Sequence, residues 1–305
     1  MAFDPKSPKN RLVTLCGEPD FCLLLWRWDE FKILATERIN ISQPPPDSVF
    51  QISMQNISTQ SIVCVTGPSC YRYYQLNEDL SKFETHYSTL EVAGPNVPAK
   101  VSDNYTCHTW IKDTARVVVC TDAGDILLTD AEGKFLAYIP ESPRNNCRIE
   151  SVTPAQHGLV VAGQNGWIWP YNSTTNETQY YNLQKRIGFD DDKKDQTGFE
   201  NITSMALSLN EDVLYYVTRH NQLLKVPVSL DGAGKEGMPQ AEAVHADFHQ
   251  HAITGMDVCL RKQLIVTTSQ KHIKIWNYHT KSLEISHNCN AGEEACAVAF
   301  HPSGF

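Results

Sequence analysis

No C-x-x-C pair occurs among the ten cysteines of this 305-residue chain, so the usual zinc-ribbon and dithiol redox spacings are excluded. There is no G-x-S-x-G nucleophile turn either. Gly232-Ala233-Gly234-Lys235 fails as a phosphate-binding loop, because it would need glycine at Ser229 and a hydroxyl at Glu236. No apolar run approaches the length of a membrane span, and the strongest, residues 21–26, is interrupted at once by Arg27. The start, MAFDPKSPKN, lacks the charged-then-apolar layout of a secretory signal. Basic residues are in deficit: 26 Lys and Arg face 35 Asp and Glu, a net charge of −9. A phosphate-tracking surface for nucleic acid is therefore not expected, and bulk attraction to another acidic surface is not expected either.

The cysteines are scattered, at Cys16, Cys22, Cys64, Cys70, Cys107, Cys120, Cys147, Cys259, Cys289 and Cys296, several inside strand-like runs. They read as reduced core residues of a cytosolic protein. With no secretory signal, the six N-x-[ST] sequons, beginning at Asn40 and ending at Asn201, are expected to stay unmodified.

What the chain does have is a repeat, clearest over residues 249–278, HQHAITGMDVCLRKQLIVTTSQKHIKIWNY. A histidine-bearing loop leads into an alternating piece with Ile253, Met256 and Val258; then come a β run at 264–268, a tight turn and I-K-I-W-N. This is the skeleton of a WD40 repeat. In such a unit the tryptophan indole donates to a strand hydroxyl, the hydroxyl bonds the histidine and the histidine a turn aspartate, so that buried polar groups satisfy one another. Mapped here, the structural residues are Trp276, Thr268 and His251, with Gln270 in place of the aspartate and Asn277 in place of the D of W-D. A literal W-D stands at Trp28-Asp29.

Taken in order, the chain divides into six such units. Strands are expected at 11–15, 22–28 and 31–38 after the corner Ala2-Phe3-Asp4-Pro5, and then at 49–54, 61–66, 70–74 and 84–92, past the prolines of 43–46. The third unit takes 106–111, 116–120, 126–129 and 135–139. The fourth takes 149–153, 159–163, 167–171 and 178–183, with Asn165-Gly166 as a hairpin turn. The fifth takes 202–207, 213–218, 223–226 and 241–244. In the sixth, residues 282–285 form the outer strand, and residues 295–300 begin another unit. Ala299-Phe300-His301-Pro302 repeats the opening corner 297 positions later, a period of about 50 over six units. The fold class is all-β: a WD40 β-propeller of four-stranded antiparallel blades, about six blade-lengths of a seven-bladed propeller within a longer multi-propeller protein. Residues 1–290 are assigned to that propeller, its first blade cut in the innermost strand, and residues 291–305 to the start of the next blade, of the same or of a second propeller.

Candidate chemistry is sparse. His245, Asp247, His249 and His251 are the nearest approach to a metal constellation, but they lie in a loop without helical spacing. The acidic run 190–195 lacks the calcium-loop spacing and reads as a solvated loop. Tyr73, Tyr74, Trp167, Trp169 and Tyr171 sit at strand positions beside turns and read as blade packing, with a ligand-stacking face as the other reading. Trp110, in C-H-T-W, is expected to be buried. No catalytic residue, cofactor or metal site is expected.

The run HAITGMDVCLRKQLIVTTSQKHIKIWNY followed by EEACAVAFHPSG, the segment CHTWIKD at 107–113 followed by TDAG, and the opening MAFDP with LLLWRW together resemble the ciliary WD-repeat family of cilia- and flagella-associated protein fifty-seven. The likeness runs through nearly the whole chain, unit by unit. It implies two propellers ahead of long coiled coils, and a non-enzymatic adaptor in cytoplasm, cytoskeleton and ciliary axoneme that serves single-headed inner dynein arms and hence motility. Implied partners are axonemal proteins: the inner dynein arm, other ciliary scaffold proteins and the doublet microtubule. No nucleic acid, membrane or small-molecule partner is implied. The alternative is a cytosolic WD40 interaction adaptor outside cilia, of ubiquitin-ligase or trafficking type.

Overall fold

Short β-branched and aromatic runs separated by Gly, Asn and Asp turns build meandering hairpins. In the computed structural model they do so six times. The described residues are 1–5, 10–40, 50–57, 60–77, 79, 81–87, 90–94, 97–144, 147–175, 179–184, 186–187, 201–219, 221–228, 241–244, 249, 251–290 and 293–302. Each blade is a four-stranded antiparallel sheet in chain order.

Blade one comprises β1 (Ala2–Phe3), β2 (Arg11–Leu15), β3 (Cys22–Arg27) and β4 (Lys32–Arg38); blade two comprises β5 (Gln51–Ile57), β6 (Gln60–Gly67), β7 (Cys70–Leu76) and β8 (Phe83–Tyr87). Blade three holds β9 (Tyr105–Trp110), β10 (Val117–Thr121), β11 (Ile126–Thr129) and β12 (Phe135–Tyr138); blade four holds β13 (Ile149–Ala155), β14 (Gly158–Gly163), β15 (Ile168–Ser173) and β16 (Tyr181–Leu183). Blade five holds β17 (Ile202–Leu207), β18 (Val213–Thr218), β19 (Leu223–Pro227) and β20 (Glu242–Ala243). Blade six holds β21 (Ile253–Val258), β22 (Leu264–Ser269), β23 (His272–Asn277) and β24 (Ser282–Asn288). Apart from one short 3-10 turn, Gln164–Gly166, no helix occurs among the described residues.

The repeat shows in its irregularities as well as its strands. The pairing of third to fourth strand slips by one residue beside Trp26 in blade one and beside Trp276 in blade six. The same slip recurs in blade two between Tyr73 and Tyr74 and in blade three between Leu128 and Thr129, and a bulge bends the strand that carries it. The Asn165-Gly166 turn takes positive φ at both residues (72° and 67°), which Asn and Gly tolerate best.

The core lies between blades rather than within them, because a sheet buries its faces against the next sheet. Alternate residues of a strand face opposite ways, so each inner strand feeds two clusters. In blade one Val13, Leu23 and Leu25 pack on Ile52, Met54, Val63 and Val65 of blade two. The other face of blade two, with Cys64, Tyr71 and Tyr73, packs on Val117, Val119 and Leu127 of blade three. Val118, Cys120 and Leu128 then meet Leu159, Val161 and Trp169 of blade four. Val160 and Ala162 meet Leu214, Tyr216 and Val226 of blade five. The aromatics Tyr73, Tyr74, Trp169 and Tyr171 are thus blade-packing residues. Six of the ten cysteines are buried and all are free; burial pushes the Cys147 thiol up to about 12 and leaves it un-ionised at neutral pH.

Residues 295–300, expected as a strand, form no ladder. They lie extended along β21, where Thr254 Oγ1 donates to the Ala295 carbonyl (2.6 Å) and the Phe300 N–H donates to Asp257 Oδ2 (2.6 Å). Gly255 keeps room for them: a Cβ there would come within 3.4 Å of Ala297 Cα.

Candidate functional site: hydrogen-bonded tryptophans, buried histidines and a turn clasp

Three tryptophans each donate the indole N–H to a hydroxyl. They are Trp26 to Thr14 (2.8 Å), Trp276 to Thr267 (2.8 Å) and Trp110 to Ser53 (2.7 Å). The first two are equivalent positions. Trp26 pairs across the ladder with Leu12, Trp276 with Ile265, and the hydroxyl acceptor is two residues further along the same face in both blades.

That parity corrects the mapping from the repeat. Thr268 lies one residue off the Trp276 face. Its hydroxyl sits 3.2 Å from that of Thr254 instead. His251 is replaced in the network by His249, whose Nδ1 and Nε2 lie 2.8 Å from Ser269 Oγ and 2.7 Å from Thr267 Oγ1. His251 holds a buried Nδ1 with no partner among the described residues. The structural tryptophan of blade one is Trp26, two residues before the literal W-D. Trp28 and Asp29 fall in the exposed turn that follows β3. We therefore expect Trp26→Phe to destabilise by about 1 kcal/mol through the lost Thr14 bond, and Trp28→Phe to change stability by under about 0.5 kcal/mol. Urea unfolding of the two variants checks this; equal effects would show that the Thr14 bond contributes nothing.

Trp110 and His108 form the same kind of network between blades. Ser53 Oγ lies 2.5 Å from His108 Nε2, and Thr66 Oγ1 lies 2.7 Å from Nδ1. Gln51 brackets the His108 backbone, accepting from its N–H (2.7 Å) and donating to its carbonyl (3.0 Å). A neutral ring offers one donor and one acceptor, so it satisfies both hydroxyls. Burial lowers the His108 pKa to about 3 and lowers that of His249 too, where the Lys274 ammonium adds to the effect. Both rings are therefore neutral at physiological pH.

At the place of Gln270, directly after the second strand, blade three carries Asp122, whose carboxylate accepts from Ser102 Oγ (2.5 Å) and Asn104 Nδ2 (2.8 Å) in the loop before β9. Asp125 is fully buried, accepts from Tyr138 Oη (3.0 Å) and faces Arg144 Nε at 3.6 Å. Its partners are not histidines. The loop carrying it is closed by Gly124 at φ +84°, a conformation favoured by glycine.

A charged clasp joins three successive blades on the turns between first and second strands. Glu211 of blade five accepts from Lys112 of blade three and from the Gln156 N–H of blade four (2.8 Å). Burial raises the Glu211 pKa, but the Lys112 and Gln156 bonds outweigh it and hold the carboxyl below its ordinary value. The pair is half open to water. Glu211→Gln is expected to cost no more than about 1 kcal/mol, a loss that fades in high salt. A loss undiminished by salt, in urea unfolding at two ionic strengths, would contradict this account.

Among the described residues no group of three or more His, Cys, Asp or Glu is placed to hold a metal ion. His245, Asp247, the run 190–195 and Gly232–Lys235 lie outside the described residues.

Six four-stranded antiparallel sheets with shared inter-blade cores and Trp–hydroxyl–His networks define the class: a WD-repeat type of β-propeller. The fold aligns over 99% of this chain with 26% of the chain in a crystal structure of Chaetomium thermophilum Raptor, at a TM-score of 0.55 and 13% identity, a likeness of fold alone. No protein-family model matches the chain. In sequence the chain is similar to the proteins named cilia- and flagella-associated protein 57. It is 30% identical over 304 residues to form A of Tetrahymena thermophila, 25% over 350 residues to the Mus musculus protein and 29% over 367 residues to form C of Tetrahymena thermophila. These matches cover 98% to 100% of this chain but only 23% to 27% of the relatives, so the chain spans about a quarter of their length.

Proposed function

We propose that this chain is a non-enzymatic scaffold of the ciliary axoneme, supporting the assembly or docking of single-headed inner dynein arms and so ciliary movement. One observation carries the reading: similarity along the whole chain to cilia- and flagella-associated protein 57 in two organisms, on a propeller fold. Its partners on this reading are axonemal proteins, namely the inner dynein arm, other ciliary scaffolds and the doublet microtubule. Residues 1–290 act as propeller and 291–305 as the start of a further blade. Propeller blades present turns and outer strands from a rigid frame, and function of this kind resides in those surfaces rather than in a reactive centre.

The test is to tag the gene product, fractionate cilia and follow it by mass spectrometry through salt extraction of the axoneme. Retention with the axoneme, and loss of particular inner dynein heavy chains when it is deleted, is the expected result. Recovery from the cell body with no axonemal fraction would overturn the reading in favour of a cytosolic adaptor.

A further inference from the structure

The ten free cysteines include two pairs that share a rung of a hairpin. In blade three Cys107 and Cys120 are direct partners in the β9–β10 ladder. In blade one the β2–β3 ladder runs from Arg11 opposite Arg27 to Leu15 opposite Leu23. The next rung is Cys16 with Cys22, whose carbonyl accepts from the Cys16 N–H (2.9 Å). Residues opposite each other in a ladder put their side chains on the same face. A hydrogen-bonded rung holds its Cα atoms about 5.5 Å apart, inside the span of about 4.4 to 6.8 Å that a disulfide bridges. Neither pair has the C-x-x-C spacing, so only the hairpins bring these thiols together.

Access separates the two pairs. Cys107 and Cys120 are 6% and 0% exposed, inside the joint of blades three and four, and burial pushes the Cys120 thiol well up. Cys16 is exposed and Cys22 half-buried. The loop between them, residues 17–21, is fixed where it returns to β3. The Phe21 N–H donates to the Gly17 carbonyl (3.2 Å), and the Phe21 carbonyl accepts from the Ile39 N–H (2.9 Å). The Phe21 ring meets that of Phe50 edge-on, 5.8 Å between centroids, which sustains the left-handed φ of 40° at Phe21. Cys22 is thereby presented across from Cys16, its S–H directed at the Asp20 carbonyl (3.5 Å). The other two accessible cysteines share no rung: the Cys289 N–H goes to the Lys271 carbonyl, and Cys296 follows Ala295, whose N–H goes to the Gln270 carbonyl.

We propose that Cys16 and Cys22 form a modification site, a dithiol that hydrogen peroxide converts reversibly to a disulfide at the end of the blade-one hairpin. The exposed sulfur reacts first. Cys16, as thiolate, attacks a peroxide oxygen; the S–O bond forms, the O–O bond breaks, and the leaving hydroxide takes the proton that Cys16 gave up, as water. Sulfur is oxidised to a sulfenic acid and the peroxide is reduced. Cys22, as thiolate, then attacks the Cys16 sulfur; the S–S bond forms, the S–O bond breaks, and hydroxide leaves with the Cys22 proton as a second water. A dithiol reductant reverses the bridge by exchange. The inference goes beyond the ciliary reading and does not depend on it.

The experiment treats the folded 305-residue chain with hydrogen peroxide, labels the remaining thiols with N-ethylmaleimide and maps tryptic peptides without reduction. Cys16 and Cys22 fall in one peptide, residues 12–27, whereas Cys107 and Cys120 fall in two, 101–112 and 117–134. Expected is a 12–27 peptide lighter by two hydrogens and free of label, returned to the labelled dithiol by dithiothreitol, while 101–112 and 117–134 keep their label. The bridge should form at least about tenfold faster than Cys107 is oxidised. Cys22→Ser should stop the reaction at a Cys16 sulfenic acid, trapped by dimedone, and Cys16→Ser should leave Cys22 labelled as a thiol. Neither side chain belongs to the blade-one core, so urea unfolding curves of both variants should match that of the parent. A 12–27 peptide labelled on both cysteines after peroxide, a bridge to any other cysteine, or a bridge that forms only in urea would each overturn the proposal. So would a Cys22→Ser chain that traps no more dimedone than the parent.

Discussion

Substituting His108 by leucine is expected to lower the unfolding free energy by about 3 kcal/mol at pH 7. The side-chain volume is nearly kept, so the loss is polar. Ser53 still accepts from Trp110 but loses the ring nitrogen, and the Thr66 hydroxyl is left buried beside an alkyl group. A buried polar group deprived of its partner costs about 1 to 3 kcal/mol. The Gln51 bonds go to the backbone of residue 108 and survive the change. The substitution also has a signature in pH. His108 titrates near 6.5 when unfolded and only near 3 when folded. As pH falls below about 6.5 the unfolded chain therefore takes up a proton that the folded chain refuses. Stability from this group is fully present above that pH and is lost at about 1.4 kcal/mol per pH unit on the way down. Urea unfolding followed by tryptophan fluorescence between neutral pH and about pH 4.5 should give a shallower slope for His108→Leu than for the parent chain. Parallel slopes would show that His108 is not the titrating group.

Gly163→Ala should be at least as damaging, at about 3 kcal/mol or more, and should leave the chain poorly soluble. A Cβ at this position would stand 1.9 Å from the Arg148 carbonyl oxygen, far inside contact distance. Neither group can yield easily, since Gly163 closes the β13–β14 ladder opposite Ile149 and its neighbour Gln164 donates to that same carbonyl (3.0 Å). Gly17→Ala is the control: nothing lies within 4 Å of a Cβ there, and the change should be neutral or stabilising by less than about 1 kcal/mol. Thermal unfolding of both variants decides the matter, and a Gly163→Ala chain that melts with the Gly17→Ala chain would refute the steric account.

Much of the blade layout was legible because its signals are local. The strands at 11–15, 126–129, 202–207 and 213–218 form with the expected bounds, since alternation and turn residues declare themselves within a few positions. The bonded side chains were less so. Two histidines two residues apart, His249 and His251, precede the same strand, and the hydroxyls Thr267, Thr268 and Ser269 are consecutive. Thr268 ends the expected β run 264–268, whereas the residue two past the cross-strand partner of Trp276 is Thr267. In LLLWRWD the W-D signature falls on Trp28-Asp29, although Trp26 occupies the bonded register. The joint at Ser53, His108 and Trp110 links residues more than fifty positions apart. Nothing in the spacing within one unit specifies it. Residues 295–300 form no ladder: one backbone bond, from the Ala295 N–H to the Gln270 carbonyl (3.3 Å), and the side chains of Thr254 and Asp257 hold them.

That the apolar clusters sit astride the joints has a mechanical consequence. A pull along the chain must separate two faces of a shared core before it can release either blade from one to five, so those blades should resist as a block. Among the described residues no such cluster holds blade six, and it should peel away first under force. In a stretching experiment the array should yield in two unequal steps, a small early extension from one hairpin pair and then the rupture of the rest.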